Sequence, residues 1–116
     1  RLGRRKRIAA GRSAAVLMAQ FDIHAASPGD RYLLDCQSDL LSHLDPRFVV
    51  PLLLPDSLPA PLRRLNPVFS IEGTDYMMVT QYAAAVSRRD LGQVAASLAD
   101  HDREIMNALD MLLTGV

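Results

Sequence analysis

The chain has 116 residues, 49% of them hydrophobic, enough for one domain with its own core. No run of about twenty apolar residues occurs, which excludes a membrane-spanning helix, and the single cysteine, Cys36, excludes an intrachain disulfide and a cysteine-based zinc cluster. The formal net charge of +0 hides an uneven distribution: residues 1–17 hold Arg1, Arg4, Arg5, Lys6, Arg7 and Arg12 with no acid, whereas from Met18 onward seven arginines stand against thirteen acids, a formal charge of −6.

Residues 1–17 read as a basic arm that can hold nucleic acid electrostatically. The apolar stretch behind the charges is short and is broken by Gly11, Arg12 and Ser13, unlike a signal peptide. Met18 opens a strand-like stretch, so the expectation is a disordered extension over 1–17 and a folded domain over 18–116, in the cytoplasm. Phe21-Asp22-Ile23-His24 alternates apolar and polar, which predicts a half-buried strand with His24 on its solvated face. Ser27-Pro28-Gly29-Asp30 has turn chemistry and leads to a second strand over Tyr32–Gln37, with Cys36 a small core residue. His43–Pro46 is a loop and Arg47–Leu52 a third strand, rich in β-branched and aromatic residues.

Residues 55–67 contain Pro55, Pro59, Pro61 and Pro67, which predicts an irregular crossing. Val68–Ile71 and Tyr76–Thr80 flank Glu72-Gly73-Thr74-Asp75, a hairpin signal. Ala83–Val86 reads as a further short strand, against the helical preference of alanine. From about Leu98 the spacing changes: Leu98, Ile105, Leu109 and Leu112 form one helical stripe, Ser97 is the expected N-cap, and Asp100, Asp102 and Glu104 suit the helix start. The last turn, Met111-Leu112-Leu113, is apolar nearly all round and runs into Gly115-Val116. Such an end is either docked in its own core or gripped by another molecule. Short strands and one helix predict a mainly β, α+β fold, a small barrel or curled antiparallel sheet with the helix on one face.

No catalytic constellation emerges. His24, His43 and His101 are too far apart for metal-ligand spacing, and His101 is expected half-buried at the edge of the stripe. There is no G-x-S-x-G element, no base beside Cys36 and no glycine-rich phosphate loop. Arg63-Arg64 and Arg88-Arg89 read as solvated loop residues, with few aromatics nearby for stacking bases. The expectation is a chain that is not an enzyme and uses no metal or cofactor.

Three blocks, Asp35-Cys36-Gln37-Ser38-Asp39-Leu40-Leu41, Arg47-Phe48-Val49-Val50-Pro51-Leu52 and Leu65-Asn66-Pro67-Val68-Phe69-Ser70-Ile71, followed by Met77–Thr80 and Ile105–Val116, resemble the CcdB toxin family in order and spacing. The resemblance runs from Met18 to Val116 and leaves residues 1–17 without a counterpart. It implies an SH3-like β-barrel of antiparallel strands with one long C-terminal helix, and a homodimer. It implies a toxin that binds the DNA gyrase A subunit and traps gyrase on cleaved DNA. A CcdA-like antitoxin would neutralise it, and the two would repress their operon together, with operator DNA held only through the antitoxin. By the same resemblance gyrase contact falls to Leu40 and Leu41 and to Asp110, Leu113, Thr114, Gly115 and Val116, and antitoxin contact to Gln20, Phe21 and Ser38. Two helix ends side by side would form a two-fold apolar plug for a two-fold target. The chain departs from the well-known member at Thr114, where that member has Trp, and at Asp110, where it has Asn.

Two rival readings stand beside this one. A metal-independent endoribonuclease of the MazF/Kid kind shares the barrel and needs a base with an Arg or His in one groove, for which Arg31, Arg47 and His24 are the available residues. A degenerate toxin that only partners its antitoxin is the other.

Overall fold

The computed structural model describes residues 19–26 and 31–116; the basic arm, Met18 and the expected turn at 27–30 lie outside them. Seven strands and one α-helix are present among the described residues: β1 (Asp22–Ala26), β2 (Arg31–Asp35), β3 (Pro46–Leu53), β4 (Val68–Ile71), β5 (Thr74–Met78), β6 (Ala84–Ser87), β7 (Val94–Ser97) and α1 (Asp102–Thr114). The strands form one antiparallel sheet in the order β4-β5-β3-β2-β1-β7, with β6 also pairing β3. The fold is α+β, a curled half-barrel carrying one C-terminal helix, as expected from the sequence.

The curl originates in β3. Its first half, Pro46–Val49, pairs with β6, and its second half, Leu52–Leu53, pairs with β5. Pro51 lies at the changeover; its carbonyl accepts from the Val79 N–H at 2.9 Å, and its missing N–H falls where the ladder passes between partners. At the β4–β5 hairpin Glu72 and Gly73 both have positive φ, 52° and 84°, the left-handed pair that a tight two-residue turn requires and that glycine adopts without strain.

Alternation along the strands separates two faces. On one, Ile23 pairs with Leu34, Leu34 with Val50, and Leu52 with Met78, and this face meets Ile105, Ala108 and Leu109 of α1 in the core. Burying a side chain the size of Ile105 or Leu109 contributes about 1.5–3 kcal/mol. The other face carries Asp22 and His24 from β1, Asp35 from β2 and Arg47 from β3, all fully or almost fully buried. His24 is therefore not the solvated histidine its alternation predicts: its Nδ1 lies 3.0 Å from the Gly92 carbonyl, because the segment before β7 folds against that side of β1.

Three further expectations change. β7 lies in an alanine-rich stretch where no strand was anticipated. Ser97 caps the 3-10 turn Ala99–His101, accepting from the Ala99 N–H at 3.2 Å, and α1 begins later, at Asp102. His101 is exposed, packs its ring 5.1 Å from that of Phe69 and bonds Glu104 at 3.1 Å. Phe21 holds a positive φ of 71° yet is buried in the core. Its N–H donates to the Asp35 carbonyl and its carbonyl accepts from Leu98, which fixes that conformation at the junction of β1, β2 and the approach to α1.

Candidate partner-binding surface

The apolar stripe of α1 leaves the core after Leu109. Asp110 is exposed, and Leu113 and Val116 are each 73% exposed, so the helix end is not docked in the core of its own chain. The tip is nonetheless ordered. Gly115 takes the left-handed conformation, φ 76°, and donates to the Met111 carbonyl at 3.0 Å; Thr114 donates its hydroxyl to the Asp110 carbonyl at 2.7 Å and accepts from the Val116 N–H at 3.3 Å. Four of the expected contact residues, Asp110, Thr114, Gly115 and Val116, thus form one hydrogen-bonded end, and Leu113 projects beside them.

The second cluster is the turn after β2. Ser38 caps the 3-10 turn Asp39–Leu41 by accepting from the Leu40 N–H at 3.1 Å. Leu40 is 86% exposed and Leu41 is exposed beside it. Gln20 donates its N–H to Asp39 Oδ1 at 2.7 Å and its side-chain amide to the Cys36 carbonyl at 3.1 Å. The expected antitoxin residues Gln20 and Ser38 therefore share a surface with the expected gyrase residues Leu40 and Leu41, while Phe21 supports that surface from inside the core.

Beneath this turn lies a buried ion pair. Arg47 Nε and Nη2 approach Asp35 Oδ2 at 3.0 and 2.9 Å, both side chains being fully buried, and Gln37 N–H donates to Asp35 Oδ1 at 3.0 Å. Burial pushes the Asp35 carboxyl above its ordinary value, against the lowering effect of the Gln37 N–H and the Arg47 guanidinium. Burial, aided by the charge of Asp35, also raises the Cys36 thiol, which leaves it an inert core residue, as expected. Arg88, which in sequence looks solvated, donates from Nη2 to the Ser42 and Leu44 carbonyls at 2.6 and 2.8 Å. Only the β3–β6 pairing, invisible in the sequence, brings it there.

Two concavities lie elsewhere on the surface of the described residues. A groove of about 430 Å³ is lined by Ala26, Arg31, Leu33, Val49, Tyr82 and Asp90 among others. A second, of about 450 Å³, lies between the proline-rich crossing and α1, with Pro55, Arg63, Val68 and Glu104 in its wall. Of the three residues anticipated for RNA chemistry, only Arg31 borders the first groove; Arg47 and His24 are buried.

Comparison with known proteins gives two results. The fold matches that of an endoribonuclease from a mycobacterial species, with a TM-score of 0.63 and 12% identity over 83% of this chain and 90% of the other. It also matches an endoribonuclease in complex with its cognate antitoxin, again from a mycobacterial species, with a TM-score of 0.64 and 15% identity over 83% of this chain and 92% of the other. These structures correct the expectation that the chain is not an enzyme: its barrel is one that carries named endoribonucleases, and the lack of a sequence motif does not argue against catalysis on it. The second result concerns the sequence itself: residues 20–115 match the family model described as CcdB protein, and the chain therefore belongs to the CcdB family of toxins.

Proposed function

We propose that this chain is the toxin of a toxin–antitoxin pair and acts in the cytoplasm on DNA gyrase. As a two-fold homodimer it sets two α1 tips side by side and inserts them into the dimerisation region of the gyrase A subunit, trapping gyrase on cleaved DNA. The observation that carries this reading is the exposed but hydrogen-bonded helix end, Asp110 to Val116, in a chain of the CcdB family. An apolar knob already ordered before contact loses little conformational entropy on docking. Leu40 and Leu41 provide a second apolar contact.

A CcdA-like antitoxin binds across Gln20 and Ser38, with Phe21 supporting them from below, and covers the adjoining Leu40. Antitoxin binding is also a property of one of the mycobacterial relatives in fold. The acidic character of the chain from Met18 onward leaves operator DNA to the antitoxin. Residues 18–116 are the toxin domain in this reading, and 1–17 are dispensable to it. In a supercoiling and DNA-cleavage assay the purified protein inhibits gyrase and accumulates cleaved DNA, and deletion of Thr114–Val116 abolishes both while leaving folding and antitoxin binding intact. Equal inhibition by the truncated chain rules the reading out.

RNA cleavage is a second reading, favoured by the groove where Arg31, Tyr82 and Asp90 converge. There Asp90 would accept the 2′-hydroxyl proton as the 2′-oxygen bonds to phosphorus and the P–O5′ bond breaks, the departing 5′-oxygen taking a proton from water, while Arg31 offsets the developing phosphate charge and Tyr82 stacks a base. Single-stranded RNA is then cut without added metal and Arg31→Ala stops the cleavage; intact RNA at high protein concentration excludes it.

A further inference from the structure

The loop between β2 and β3 displays Leu40, Leu41 and Leu44, all exposed, yet its backbone is unusually well held. The Leu41 carbonyl accepts from three donors: the Leu44 N–H at 3.1 Å, Gln37 Nε2 at 3.1 Å and Arg47 Nη1 at 3.3 Å. The next carbonyls along the loop, those of Ser42 and Leu44, receive Arg88 Nη2. Asp45 Oδ1 in turn accepts from the Arg88 N–H at 3.1 Å and the Ser87 hydroxyl at 3.4 Å. Arg47 reaches up from β3 beneath the loop, and Arg88 closes on it from the turn after β6, where Pro46 pairs with Ser87.

Bare leucines on a slack loop would fold back onto the protein to escape water. Here the backbone carbonyls are bound by guanidinium groups and the leucines stay out. We infer that Arg47 and Arg88 are positioning residues that preorganise the loop from Leu40 to Leu44 for contact with its macromolecular target. The inference rests on the reading that Leu40 and Leu41 touch the gyrase A subunit. Neither arginine need touch the target itself, and Arg47 is wholly enclosed. Both carbonyls are held by one nitrogen of Arg88, Nη2; the planar guanidinium fixes the directions of its two N–H bonds, which a lysine ammonium on its flexible stem would hold less well.

Replacing Arg47 strips a buried carboxylate of its partner and confounds folding with positioning, so the test uses Arg88. In Arg88→Met the melting transition stays close to that of the parent, the Ser42 and Leu44 amide hydrogens exchange about tenfold faster, and affinity for the purified gyrase A fragment falls about tenfold. Arg88→Lys recovers part of both. Leu40→Ser, measured alongside, reports on the contact itself. Unchanged amide exchange in Arg88→Met overturns the clamp whatever the affinity. Faster exchange with undiminished affinity, when Leu40→Ser does weaken binding, overturns the preorganising role. If Leu40→Ser binds as well as the parent, the gyrase-contact reading fails instead, and the exchange measurement alone decides whether the clamp stands.

Discussion

Asp35 and Cys36 are neighbours whose chemistry is set by burial on opposite faces of one strand end. The raised carboxyl of Asp35 makes a pH prediction. The folded protein keeps that proton at a pH where the unfolded chain, titrating near 3.8, has released it. The group therefore favours the folded state most below pH 3.8, and its contribution declines as pH rises through the native value. The stability difference between the protein and its Asp35→Asn variant, followed by thermal melts from pH 3 to pH 7, should shift against the parent as pH increases. Cys36 should resist an aromatic disulfide reagent at neutral pH until denaturant unfolds the chain, because the buried thiol neither ionises nor meets the reagent. The core role of Cys36 was legible from its apolar surroundings. The burial of His24 and Asp22 was not, since alternation reveals that two residues share a face but not whether that face meets water.

At the scale of elements, the hairpins were readable because turn chemistry and β-branched runs are local signals. Strand β7 was not: Val94-Ala95-Ala96-Ser97 has little intrinsic preference for extension and pairs with β1 through contacts distant in sequence. The ion pair between β2 and β3 gives an element-scale prediction. Arg47→Met alone should cost about 3–5 kcal/mol in denaturant unfolding, by leaving Asp35 buried without its partner. Adding Asp35→Leu should recover most of that loss, a coupling measurable by a double-mutant cycle. The tip of α1 makes another. Thr114 stands where the resemblance places an indole, and Thr114→Trp should raise gyrase affinity by about 2 kcal/mol, roughly thirtyfold in a binding titration. The candidate tip was legible as an apolar helix end without a buried partner, whereas the arginine clamp depended on β6 crossing to β3.

At the scale of the whole molecule, the same curled sheet serves proteins of very different sequence, at 12% and 15% identity. A shared fold at such identity does not carry one chemistry from protein to protein. The charge distribution makes the last prediction. A chain trimmed to begin at Met18 carries a formal −6 and should not retard duplex DNA in a mobility-shift assay at about 0.15 M salt, and retardation should appear only when antitoxin is added.

The edge-to-face contact of Tyr32 with Tyr76, ring centroids 5.0 Å apart at 76°, joins β2 to β5 across the core face, while Tyr82 stands in solvent on the other side. The sequence has no tryptophan. Its intrinsic ultraviolet emission therefore comes from three phenols in two distinct settings, and a soluble quencher such as acrylamide meets Tyr82 well before the stacked pair. Unfolding can be followed optically without a label, and an indole introduced at position 114 would shine alone at longer wavelength, reporting docking of the tip in real time.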